Sequence, residues 1–199
     1  MAITNFGGDE VVYGYDESKI IIVPVPYDAT STYIRGADKG PAAILEASPA
    51  LEFYDIETGS EVHRQGIHTI DPLTGGDDPG EITQAVYRTV SRILSENRFP
   101  VVIGGNHTVS IGAFQAASEA YSGLTILQLD AHHPPGDQSH GAHFLLAETD
   151  RHALGGEQQD FCLPAGDAQP VEELEGIAVA DLDQTFTDGL LLLPRGAAV

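Results

Sequence analysis

Short runs of apolar residues alternate along the chain with longer segments in which apolar residues recur every three or four positions. The short runs have apolar side chains on both faces, which is typical of strands covered by helices on both sides of a parallel sheet. The runs predict four strands, at Ile20–Val25, Pro100–Ile103, Leu124–Leu129 and Ile177–Ala180.

The segments between these strands have helical spacing. Helices are predicted at Pro41–Ala47, Pro79–Asn97 and Thr108–Tyr121. Proline suits the first turn of the first helix. The second helix has an amphipathic repeat, formed by Ile82, Val86, Val90, Ile93 and Leu94. In the third, Ile111, Phe114 and Ala117 share one side. Alternating strands and helices predict one α/β domain over residues 1–199 with a mainly parallel sheet.

Composition narrows the class of protein. The 199 residues are 42% hydrophobic, and the longest apolar runs are too short to cross a bilayer. The first ten residues lack the basic start and apolar segment of a secretory signal, and Cys162, the single cysteine, has no partner for a disulfide within the chain. We therefore expect a cytoplasmic protein without membrane contact.

The chain is strongly acidic, with 30 acids against 9 bases and a net charge of -21. Nucleic acid is excluded as an expected partner because it requires a basic surface. Two interpretations remain. The favoured one is a surface adapted to high salt, where charge repulsion is screened. The other is attraction of a cationic substrate.

Polar residues directly follow three of the predicted strands. Gly104-Gly105-Asn106-His107 follows the second, Asp130-Ala131-His132 the third and Asp181-Leu182-Asp183 the fourth. Each has an ordinary explanation, as a tight turn, an exposed histidine or a solvated loop. Ligands of parallel sheets bind beyond the carboxyl ends of the strands, so three adjacent strand ends would bring these residues into one crevice. Grouped carboxylates are costly unless a cation compensates them.

The residue types indicate which cation. Aspartates and histidines without thiolate favour manganese over structural zinc. A carboxylate that bridges two ions would allow a shared water to become hydroxide near neutral pH. His140, a few residues beyond, is a candidate proton shuttle to a leaving amine, and an exposed loop histidine is an equally good interpretation.

In combination, these residues resemble the ureohydrolase (arginase and agmatinase) family, with the agmatinase branch closest. The resemblance covers the chain well from about residue 20 to residue 144 and thins beyond, and its motifs occur in family order. They are Val25-Pro-Tyr-Asp-Ala-Thr30, Arg35–Ser48, Gly104-Gly-Asn-His107, Asp130-Ala-His132, Ser139-His-Gly141 and Asp181-Leu-Asp183.

The resemblance implies a three-layer α/β/α fold and two manganese ions. A metal-bridging hydroxide would hydrolyse a small cationic guanidino compound to urea and an amine, as in the agmatinases of polyamine metabolism. His107 would bind one metal, and His132 and Asp183 the other. Asp130 and Asp181 would bridge both, His140 would be catalytic, and the chain would form a homo-oligomer.

The sequence also departs from the family pattern. Pro134 stands where the family has a further metal-binding aspartate, Asn106 stands where an acid is usual, and Phe186 replaces a third acid after the Asp-x-Asp pair. Residues 145–199 are divergent or truncated, so the C-terminal part of the fold is expected to be abbreviated. The alternative hypothesis is a catalytically impaired homologue with a partial metal site. A deacetylase-like use of the fold is a weaker third option.

Overall fold

The computed structural model describes the backbone of residues 5–32, 34–121, 124–130, 143–149, 177–181 and 188–194, and the side chains of the first two ranges. The described strands form one seven-stranded sheet. They are β1 (Ile20–Val25), β2 (Ile67–Thr69), β3 (Phe99–Gly104), β4 (Leu124–Asp130), β5 (His143–Thr149), β6 (Ile177–Asp181) and β7 (Asp188–Pro194). The described α-helices are α1 (Gly40–Ala47), α2 (Pro79–Ser95) and α3 (Thr108–Ala120).

Both faces of strand β1 are buried because a hydrophobic cluster packs on each side of it. Ile21, Val23 and Val25 pack in one cluster with the buried faces of α2 and α3. Ile22 packs on the opposite side in a second cluster, with Leu45 of α1. Helices therefore cover both faces of the sheet here, and the predicted three-layer α/β/α fold is confirmed.

The strand order across the sheet is β2-β1-β3-β6-β7-β4-β5. The first four strands in this order, β2, β1, β3 and β6, are parallel to one another. Strand β7 runs antiparallel to both β6 and β4, and β5 runs antiparallel to β4. Five of the described strands therefore share one direction, as expected for a mainly parallel sheet. The four predicted strands are present, whereas β2, β5 and β7 were not predicted.

Helix α2 follows its predicted pattern closely. The Asp78 side chain caps it by accepting hydrogen bonds from the backbone N–H groups of Gly80 and Glu81. Its four core positions are at most 1% exposed, namely Ile82, Val86, Val90 and Ile93. Burial of each stabilises the fold by about 1.5–3 kcal/mol. The helix ends at Ser95, earlier than predicted, and Asn97 has a left-handed φ of 56°.

Helix α3 buries only part of the side that its predicted apolar residues share. Ile111 is 55% exposed, whereas Ala117 is buried and Phe114 is partly buried against the core. The buried face consists of small residues because α3 lies very close to α2. A Cβ atom at Gly112 would lie 2.2 Å from the Thr83 carbonyl oxygen. The close approach of the helices therefore selects glycine and alanine over large apolar residues.

Candidate active site

The turn after β3 packs directly on the end of β1. The Asn106 backbone N–H donates a hydrogen bond to the Tyr27 carbonyl oxygen at 3.1 Å. A Cβ atom at Gly105 would lie only 2.0 Å from the same oxygen. Glycine is therefore required at position 105 for structural reasons, and the turn holds the start of α3 against the loop that follows β1.

The Asn106 side chain joins that loop to α3. It is 4% exposed, and its Nδ2 donates a hydrogen bond to the Thr30 hydroxyl oxygen at 2.7 Å. The Thr30 and Thr108 hydroxyls are hydrogen-bonded to each other at 2.7 Å. The amide thus supplies a donor that an ionised acid at this position would lack. In this chain, residue 106 has a structural role.

His107 lies at the carboxyl end of β3, as predicted. It is exposed and immediately precedes α3. Its carbonyl oxygen accepts a hydrogen bond from the Ser110 N–H at 3.0 Å. The hydrogen bonds of the preceding turn hold the backbone that leads to His107 against the loop after β1.

The strand register determines which predicted ligands share one edge of the sheet. Ile103 of β3 pairs with Ala180 of β6, so the next step of this parallel register brings Gly104 beside Asp181. Asp130, the last residue of β4, pairs with His143 of β5. The predicted ligand positions Asp130 and Asp181 therefore both lie at the sheet edge where β3 ends.

The sequence analysis predicted that the ends of β3, β4 and β6 are adjacent. This prediction is wrong for β4. Strands β3 and β6 are neighbours, but β7 lies between β6 and β4. Neighbouring strands are about 4.8 Å apart, so the backbones of Asp130 and Asp181 are separated by roughly 10 Å.

His132, Asp183 and the candidate proton shuttle His140 lie outside the described residues, and so do Pro134 and Phe186. Among the side chains of residues 5–32 and 34–121, no group of three or more metal-binding residues occurs.

Within the described part of the chain, no helix is long and apolar enough to cross a membrane.

The loop after β1 borders an open cleft of about 290 Å³. Asp28, 9% exposed, shapes this loop by accepting hydrogen bonds from the Gly36 N–H at 2.6 Å and from the Ser31 hydroxyl. The cleft wall carries both signs of charge, from Asp28, Arg35, Asp38, Lys39 and Asp77. The cleft lies between residues of two motifs of the family resemblance, at 25–30 and 35–48, and no sequence pattern predicted it.

Tyr27 is one of the residues that line this cleft. Its hydroxyl donates a hydrogen bond to the Asp77 carbonyl oxygen at 3.1 Å. Burial raises the pKa of Tyr27 above its ordinary value, and the negative charges of Asp77 and Asp78 act in the same direction. Tyr27 is therefore a neutral hydrogen-bond donor at physiological pH.

The sheet order, the helices on both faces and the polar strand ends define a three-layer α/β protein with its candidate site at one edge of the sheet. The model of the Arginase family matches residues 18–162. The chain therefore belongs to the arginase family, and the resemblance found in its motifs is confirmed.

Similar proteins agree with this assignment. An N(1)-aminopropylagmatine ureohydrolase from Synechocystis is 34% identical over 140 residues, which cover 67% of this chain and 46% of the relative. An agmatinase from Bacillus cereus is 33% identical over 124 residues, which cover 59% of this chain and 41% of the relative. The chain thus spans less than half the length of these curated relatives.

Solved structures have the same fold. The agmatine ureohydrolase of Thermoplasma volcanium is 28% identical, with a TM-score of 0.53 over 58% of this chain and 39% of that protein. A formiminoglutamase from Trypanosoma cruzi with Mn²⁺ has a TM-score of 0.52 over 59% of this chain and 40% of that protein. The second is 22% identical and supports the fold alone.

Proposed function

We propose that this chain has the activity of an agmatinase-like ureohydrolase. It would hydrolyse a small, linear, cationic guanidino compound and release urea and an amine. Membership of the arginase family carries the proposal, and the names of the Synechocystis and Bacillus cereus relatives support the agmatinase-like branch. The chain's own strand-end residues supply the chemistry that such a reaction needs.

The donor set at these strand ends fits manganese. Carboxylate oxygens with some imidazole nitrogens and no thiolate suit this ion. His107, Asp130, His132, Asp181 and Asp183 would hold two ions, since Asp130 and Asp181 share the sheet edge where β3 ends and each is followed two positions later by a further donor. When bound, manganese would acidify a water molecule and thereby supply the nucleophile.

The remaining steps depend on residues of the chain. Carboxylates near the site attract the guanidinium by their negative charge, and the net charge of -21 favours the approach of a cation. His140 would carry a proton to the leaving amine, since an imidazole changes its charge near neutral pH. Tyr27 and the loop held by Asp28 would form one side of the substrate entrance.

Pro134 supports a second candidate, an impaired relative with one metal and no turnover. Proline has no side-chain ligand, and in the family pattern this position carries a carboxylate. This version of the site would bind metal more weakly without any change of fold. Urea release separates the two candidates.

The test is urea release from agmatine, arginine and guanidinobutyrate by the manganese-loaded chain at high salt. We expect turnover of one of them and a loss of about 100-fold in Asp181→Asn, because a ligand to the metal is removed. Glu148→Gln, which removes a charge at the opposite end of the sheet, is the matched control and should retain activity. Metal-loaded chain that releases no urea from any of them would contradict the proposal.

We further propose that the protein is cytoplasmic, that it acts in polyamine metabolism and that it works at high salt concentration. We also expect it to form a homo-oligomer. The acidic composition supports the salt-rich setting. Light scattering after size exclusion in molar KCl tests the assembly, and a monomer under these conditions would contradict it.

A further inference from the structure

A closed ring of hydrogen bonds holds the two sequence neighbours of His107. The Asn106 Oδ1 accepts a hydrogen bond from the Thr108 backbone N–H at 3.3 Å, and the Asn106 Nδ2 donates one to the Thr30 hydroxyl at 2.7 Å. The hydroxyls of Thr30 and Thr108 are hydrogen-bonded to each other at 2.7 Å, which closes the ring. We call these three residues, Thr30, Asn106 and Thr108, the polar ring.

The backbone of His107 is held within this ring. His107 has φ of -57° and ψ of -23°, in the right-handed helical region, and immediately precedes α3. The peptide group before it belongs to Asn106, and the peptide group after it belongs to Thr108, which are both ring members. Because the residues on both sides of His107 are held, the direction of its Cα–Cβ bond is held as well.

Thr30 is the ring member that is remote in sequence, and the other two depend on it. Asn106 is only 4% exposed, so water does not readily replace a lost partner of its amide. A buried amide without an acceptor is costly, and the Asn106 side chain would turn to find another one. That movement would also break its bond to the Thr108 N–H, so the loss of one hydroxyl would open the whole ring.

The contacts of Thr30 differ from those of an ordinary helix cap. A capping side chain accepts hydrogen bonds from the free backbone N–H groups of the first helical turn. Both described hydrogen bonds of the Thr30 hydroxyl instead join side-chain atoms of the residues that flank His107. The arrangement therefore restrains the segment at His107 more directly than it stabilises α3.

We propose that Thr30 is a positioning residue for the metal centre, which acts through Asn106 and Thr108 to hold His107 in the orientation that binds manganese. The inference rests on the proposed function, because His107 is one of the ligands assigned there. Groups that orient a metal ligand without touching the metal typically change metal affinity by about 10–100-fold. The loop after β1 would thus contribute to metal binding as well as to the cleft.

The test measures Mn²⁺ affinity of the full chain at high salt by isothermal titration calorimetry, without substrate. Thr30→Val keeps the shape of the side chain and removes the hydroxyl, and it should weaken Mn²⁺ binding by about tenfold. Thr30→Ser keeps the hydroxyl and should bind nearly as the unmodified chain does. His107→Ala, which removes the ligand itself, should weaken binding at least as much as Thr30→Val. If Thr30→Ser binds as weakly as Thr30→Val, the hydroxyl is not the cause and the inference is overturned.

Two control variants separate positioning from a general loss of stability. Ile93→Val removes a methyl group from the buried face of α2 and should lower stability, as Thr30→Val does. Thr32→Val removes a hydroxyl from an exposed threonine of the same loop. Both controls should bind Mn²⁺ like the unmodified chain, in titrations at a temperature where circular dichroism shows every variant to be folded.

The outcomes that overturn the inference differ from those that overturn the proposed function. If folded Thr30→Val binds Mn²⁺ normally while His107→Ala binds it weakly, the metal centre stands and Thr30 does not position it. Equal weakening in Thr30→Val and Ile93→Val would show an effect of stability alone, which also overturns the inference. If the unmodified chain binds no Mn²⁺, the centre and the inference fail together. If Thr30→Val is unfolded, Thr108→Val opens the ring at its other hydroxyl, and unchanged Mn²⁺ affinity in that variant overturns the inference.

Discussion

At the scale of single residues, the loop after β1 and the turn after β3 are held together by contacts that allow little variation. Gly105 touches the Tyr27 carbonyl, and Asn106 links Thr30 to the start of α3. These contacts fix the backbone that leads to His107. A substitution in this group should therefore destabilise the domain and displace the candidate site together.

Replacing Gly105 with alanine should destabilise the chain by about 3 kcal/mol, because the new Cβ would overlap a backbone oxygen that cannot move freely. Gly14→Ala is the matched control. Gly14 has φ of -73° and its nearest neighbour is a flexible glutamate oxygen at 3.6 Å, so alanine should be neutral or stabilise by about 0.5 kcal/mol. Urea unfolding measures both, and equal effects would contradict the account.

Thr30→Val should cost about 1–3 kcal/mol, because it leaves the buried Asn106 amide without its acceptor. Thr32→Val removes a hydroxyl from an exposed threonine in the same loop and should change the free energy of unfolding very little. The same urea titration compares them. A Thr30→Val variant as stable as the unmodified chain would show that the hydrogen bond contributes nothing.

Sequence reasoning at this scale succeeded for the polar strand ends and failed where packing decides. The position of His107 after β3 follows from the apolar run before it. The structural role of Asn106 depends on Thr30, which is remote in sequence, and no local pattern shows that contact. The resemblance identified Asn106 only as a departure from the family pattern.

At the scale of elements, α2 and α3 pack so closely that glycine is needed at the crossing. Gly112→Ala should destabilise by about 1–3 kcal/mol, although alanine favours an isolated helix by about 1 kcal/mol relative to glycine. Gln115→Ala, on the exposed side of the same helix, is the control and should be neutral. Calorimetric melting would contradict the packing argument if Gly112→Ala were the more stable variant.

The elements that the sequence predicts are those whose burial produces a regular pattern. The repeat in α2 predicted its buried face, and the apolar runs predicted β1, β3, β4 and β6. The antiparallel strands β5 and β7 were missed, although each contains a short apolar run, because the alternation of strands and helices was taken to predict a mainly parallel sheet.

At the scale of the whole molecule, repulsion between the many negative charges destabilises the folded chain. A net charge of -21 on 199 residues should destabilise the folded chain at low ionic strength. Molar KCl shortens the Debye length to about 3 Å and screens this repulsion. We expect Tm to rise by ~5 °C or more between 0.05 M and 1 M KCl, which corresponds to about 1–2 kcal/mol. A Tm that stays constant or falls would contradict this interpretation.

We propose that the strand ends of this arginase-family domain form a manganese centre. The most direct measurement is the number of manganese ions per chain, by elemental analysis after equilibrium dialysis against Mn²⁺ at high salt. We expect two ions in the unmodified chain and fewer in Asp181→Asn. Unmodified, folded chain that retains no manganese would contradict it.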